Sequence, residues 1–140
     1  MKRLVLNSVI IVIMLLSCYT CKNNTAEVPE IKLEGLKLNN NKKWKANKET
    51  HIGMQRLDSI LKNHPSLDGN TIGTSLSKQT SFIIKSCNMT GEAHDQLHVV
   101  LVPILEEITD IKNIDNSEAV KNKLTTLKQL TATYFKYFEI

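Results

Sequence analysis

From about residue 48 onward, apolar side chains recur at spacings of three and four, the period of an amphipathic helix. Asn47 can cap a first helix over 48–63, with Thr50, Met54, Leu57, Ile60, Leu61 and His64 on one face. His64-Pro65 ends it, because the residue before a proline avoids helical geometry. Asp68 can cap a second helix over 69–87, whose stripe is Ile72, Leu76, Ile83 and Cys87. Asn88-Met89-Thr90-Gly91 breaks the pattern before a third helix over 92–112, with Leu97, Leu101, Ile104, Leu105, Ile108 and Ile111 aligned. Pro103 falls inside this helix and is expected to bend it locally. Asn116 or Ser117 opens a fourth over 118–138, with Val120, Leu124, Leu127, Thr131, Tyr134 and Phe138 on one side. Short connections between such segments make neighbours antiparallel. The expected fold class is all-α, an antiparallel up-down four-helix bundle over 48–140.

The chain before residue 48 follows other rules. Met1-Lys2-Arg3 is followed by an apolar run over 4–16 that only Asn7 and Ser8 interrupt. A charged start and a short apolar stretch form the secretory signal pattern, and a bilayer span would need about 20 residues. The run ends Leu15-Leu16-Ser17-Cys18, which resembles the lipobox of bacterial lipoproteins. That resemblance implies that residues 1–17 are removed and that Cys18 is acylated. The protein is then held on the non-cytoplasmic side of a membrane in the cell envelope, where free thiols oxidise or bind metal. Residues 18–47, rich in Asn and Lys, read as a flexible tether. Leu36, Leu38 and Trp44 are apolar enough to let its end touch the folded body.

Charge changes little in this picture. Of 18 basic residues two belong to the signal segment, so 16 face 14 acids in the remainder. No basic stripe interleaved with aromatics marks a nucleic-acid surface.

Two segments carry a wider resemblance. Leu38-Asn39-Asn40-Asn41-Lys42-Lys43-Trp44-Lys45-Ala46-Asn47 is similar to the opening of a group of small lipoproteins of Bacteroidetes and flavobacteria. Gly91-Glu92-Ala93-His94-Asp95-Gln96-Leu97-His98, with Cys87-Asn88-Met89 just upstream, resembles their central motif. The likeness spans roughly 38–138. It implies a shared design and an envelope location, and no particular reaction.

The one chemically pointed cluster is Cys87, Met89, His94 and His98, within twelve residues. In an antiparallel bundle these residues gather where helix 2 ends and helix 3 begins. Met54, Tyr134 and Phe138 are expected to roof or line the same region. His94 and His98 stand four apart and so share a helix face. A thiolate, a thioether and two imidazoles suit copper(I) or zinc rather than calcium or magnesium. Each residue also has a plainer role: a small core thiol, a gap-filling methionine, and two polar residues near a helix start. Haem with Met54 opposite a histidine is a lesser alternative, disfavoured by the small core. No Cys-x-x-Cys-His is present for covalent attachment. A Cys21–Cys87 disulfide is a further alternative. His51 is expected on the exposed side of helix 1 and His64 at the opposite end, both as bystanders.

Catalytic constellations are absent from the sequence. Glu106 and Glu107 are adjacent and cannot share a face, and no nucleophile elbow, phosphate loop or His-Glu-x-x-His occurs. Cys87 with His94 lacks a third, orienting group. The leading expectation is an envelope lipoprotein that binds or handles copper or zinc. Its rival is a tethered interaction module docking on another envelope protein, with Phe82, Ile84, Val99 and Val102 as a candidate apolar patch.

Overall fold

The computed structural model describes residues 31–63 and 67–140. The signal segment, Cys18, Cys21 and His64-Pro65 lie outside them. Four helices form: α1 (Lys48–Asn63), α2 (Gly69–Ser86), α3 (Gly91–Ile111) and α4 (Ser117–Tyr137). Their bounds lie within a residue of those the period predicts. Two starts are capped as expected, because Asp68 accepts from Thr71 N and Asn116 accepts from Ala119 N. Asn47 is different. Its amide donates across the molecule to Ser86 O at 2.9 Å and to Glu49, and its buried Oδ1 has no hydrogen-bond partner. Pro103 sits inside a continuous α3.

The helices pack in a ring, each against its chain neighbours, with α4 closing on α1. Named contacts show which ends meet. Asn47, at the start of α1, reaches the end of α2. Gly69 opens α2 so tightly against the end of α3 that a Cβ there would collide with the carbonyls of Ile111 and Ile114. Lys123, early in α4, bridges Glu107 and Asp110 late in α3 at 3.1 and 2.9 Å. Every apolar residue of the α3 stripe is buried except Leu105, which is half-buried. Leu57, Leu61, Ile72, Leu76, Ile83, Val120, Leu124, Leu127 and Tyr134 complete most of the core. No helix among the described residues is long and apolar enough to cross a membrane.

Residues 31–47, expected as the end of a tether that touches the body through Leu36, Leu38 and Trp44, form an ordered strap on it, with Trp44 buried, Leu36 half-buried and Leu38 exposed. Asn39 and Lys42 pair in an antiparallel bridge, and Asn40 and Asn41 between them take φ of +49° and +64°. Two consecutive left-handed residues make a two-residue hairpin turn, a geometry asparagine tolerates better than most. The chain then runs as β1 (Trp44–Lys45), which pairs in parallel with β2 (Phe138–Glu139) just after α4. Alternation along β1 turns Trp44 and Ala46 inward, each 7% exposed, and leaves Lys43 and Lys45 outside. The beginning and end of the described chain are thereby tied together.

Candidate functional site

The bundle end that holds the strap also gathers the residues of the sequence cluster. Cys87 caps α2, with its N–H donating to Ile83 O at 2.9 Å, and is half-buried. Met89 and Ala93 are half-buried against the core. Gly91, with φ of +64°, turns the chain into α3. His94 is half-buried on the first turns of α3 and His98 is exposed one turn later. Their rings lie 4.3 Å apart, centroid to centroid, and are tilted by 57°.

Of the four expected donors, Cys87 and Met89 are half-buried against the core, and the two histidines lie side by side on α3. Among the described residues, no three side chains drawn from His, Cys, Asp and Glu come together where they would hold a metal ion. Met54, expected to roof the site, is sealed in the core. Cys87 continues the inward stripe of α2 and meets the core, whereas His98 sits at the edge of the α3 stripe and faces water. Two imidazoles thus lie side by side on adjacent turns of α3, one half-buried and one exposed.

Two features of this end were not foreseen. The first is Gln96, only 6% exposed, whose side chain clamps the strap: Oε1 accepts from Lys37 N at 2.7 Å and Nε2 donates to Gly35 O at 3.1 Å. Lys37 in turn bridges Glu92 at 2.7 Å, and its carbonyl accepts from Trp44 Nε1 at 2.7 Å. The two segments that carry the resemblance are thus joined through Lys37. Glu92 and Gln96 of the central motif hold the strap; the histidines between and beyond them do not.

The second is His51, which is no bystander on an open face. It is half-buried against the last turn of α4, with Nδ1 at 3.3 Å from Tyr134 Oη and its ring edge-on to Phe135. Burial, and then the Lys43 ammonium, push its pKa down, which favours the neutral imidazole. Burial, and then nearby Cys87, push the pKa of Tyr134 up beyond the ordinary phenol range. Tyr134 stacks on Phe138 at 5.0 Å. The sequence signal for this cluster was the bunching of Tyr134, Phe135, Tyr137 and Phe138 at the end of α4, facing the lone tryptophan of the strap.

Comparison with protein-family models, with curated proteins and with solved structures finds no match.

Proposed function

We propose that this protein is a bacterial envelope lipoprotein whose helical domain binds copper or zinc through His94 and His98. The Leu15-Leu16-Ser17-Cys18 sequence after a charged start and a short apolar run supports removal of 1–17 and acylation of Cys18. The meeting of helix starts with the ends of neighbouring helices supports an antiparallel up-and-down topology. Cys18→Ser should leave precursor that is neither lipid-labelled nor partitioned into membranes; normal labelling of that variant would refute the anchor.

The observation that carries the metal reading is the 4.3 Å approach of two imidazoles on successive turns at a solvent-reached helix face. Such a pair supplies two donors and leaves the remaining positions to water or a partner, which suits exchange better than storage. Binding needs both rings neutral and should weaken as pH falls through the histidine range. Zinc and copper titrations of the reduced protein should show binding that His94→Ala and His98→Ala abolish and Cys87→Ser retains. Equal binding by the double histidine variant would sink it.

A second reading is an interaction module for another envelope protein. Ile84 and Val102 favour it, since they stand 55% and 46% exposed on the outer faces of α2 and α3. Phe82 is half-buried against α1, with the Arg56 guanidinium 5.1 Å from its ring centroid.

A further inference from the structure

The small net charge of the domain conceals a polarity along its long axis. In the seventeen residues 32–48 there are six lysines and a single carboxylate, Glu34. All six lysines are exposed. The strap folds across the end of the bundle where α2 and α4 finish, bringing Lys85 and Lys136 of their last turns to the same end. Lys37 and Lys45 are bridged to Glu92 and Glu139, and Lys43 donates to Phe135 O. Lys32, Lys42, Lys48 and Lys85 have no carboxylate partner among the described residues. At this end eight lysines thus face five carboxylates (Glu34, Glu49, Glu92, Asp95 and Glu139), whereas at the opposite end Asp58, Asp68, Glu106, Glu107, Asp110, Asp115 and Glu118 outnumber Lys62, Lys112, Lys121 and Lys123.

The position of this cationic end along the chain gives it a partner. Twelve residues separate Cys18 from Ile31, where the strap begins. Even fully extended they span no more than about 45 Å, so the lysine-rich end is the part of the domain kept nearest the acyl chains. Docking makes this specific. A free tether would let any face of the bundle turn to the membrane, whereas a strap fixed by Gln96, Trp44 and the β1–β2 pairing presents one end. Each lysine near an anionic leaflet adds attraction that decays within a Debye length. Lipid plus a basic cluster is a two-signal anchor.

We infer that the strap end, through Lys32, Lys42, Lys48, Lys85 and their neighbours, rests on the anionic phospholipid headgroups of the membrane that holds the lipid. The inference rests on the lipoprotein reading and adds an orientation to it: α1–α4 stand with the strap against the bilayer and the acidic end projecting outward. The α2–α3 turn, with His94 and His98, then lies at the membrane side.

The test uses the processed chain from residue 18 with Cys18→Ser, so that no acyl chain contributes. Co-sedimentation is measured with phosphatidylcholine vesicles, with and without phosphatidylglycerol. Binding should appear only with the anionic lipid and fall with added salt. Changing Lys32, Lys42, Lys48 and Lys85 together to Gln should weaken it at least tenfold, since each lysine near such a surface contributes roughly fivefold. Changing Lys62, Lys78, Lys121 and Lys128 to Gln removes the same charge elsewhere and should leave binding within about twofold. Circular dichroism confirms that both variants are folded. Equal losses in the two variants, or equal binding to neutral vesicles, overturn the inference. Absence of binding to either vesicle also overturns it and points the lysines toward an acidic protein. The anchor itself is judged separately, by lipid labelling of the full chain, so either reading can fail alone.

Discussion

Removing the Gln96 side chain should release the strap before it unfolds the bundle. Gln96→Ala deletes an acceptor for Lys37 N at 2.7 Å and a donor to Gly35 O at 3.1 Å. A hydrogen bond of this kind contributes about 0.5–1.5 kcal/mol net, so the pair is worth about 1–3 kcal/mol. Gly35 and Lys37 are exposed residues, so water can re-satisfy their backbone groups and the cost stays within that range. For a domain of this size the loss corresponds to a drop in melting temperature of roughly 5–15 °C if strap and helices unfold together. Trp44 reports the strap directly, being the only tryptophan and one that donates to Lys37 O. Its emission should shift to the red in the variant at denaturant concentrations where the far-ultraviolet circular dichroism is still native. Amide exchange at Trp44 and Ala46 should quicken in parallel. Gln96→Glu keeps the acceptor and loses the donor, and should fall between the two. If Gln96→Ala leaves both the melting temperature and the Trp44 emission unchanged, the strap is not held by this clamp, and the account of the central motif fails with it.

Two other outcomes follow from the packing and the charges. Leu127, fully buried in the middle of α4, should cost about 2–5 kcal/mol when truncated to Ala, read as a lower urea midpoint with an unchanged slope. His51, whose pKa burial and then Lys43 lower, takes up its proton later in the folded than in the unfolded state as pH falls. Its contribution is therefore fully present above the unfolded value, about 6.5, and declines as pH drops from there toward the lowered folded value. His51→Gln should flatten that part of the stability–pH curve; an unchanged slope between pH-matched melts of the two proteins would contradict the burial assigned to His51.

The helices were legible because their information is local. Inward positions recur within a few residues, and a side chain's place on the stripe follows from its own segment. Thus Leu57, Ile83, Leu101, Ile108, Leu127 and Tyr134 are buried where the period puts them. Asp68 and Asn116 cap where short-range rules expect, whereas Asn47, with the same side chain as Asn116, spends its amide on Ser86 of another helix. The strap escaped because its composition is that of an unfolded linker. What fixes it lies elsewhere in the chain: Gln96, fifty-nine residues beyond Lys37, and Phe138 opposite Trp44. Its local traces were the apolar Leu36 and Trp44, which did mark the contact, and the turn at Asn40-Asn41.

The chemistry divides the same way. Sequence spacing alone determined that His94 and His98 share a face, since one helical turn sets that, and their rings meet. It also determined which segments become helices and which faces of those helices turn inward. What Cys87 and Met54 meet depends on the rotation and depth of α2 and α1 against α3, which a helix's own period does not specify. Tertiary packing drew Cys87 toward Tyr134, buried Met54, and left two imidazoles at the water's edge. The same packing turned His51 from an outward residue into a neighbour of Tyr134, eighty-three positions away, because the last turn of α4 happens to cover that side of α1. Local periodicity decides which way a residue faces on its own helix; only the assembled neighbours decide what it meets there.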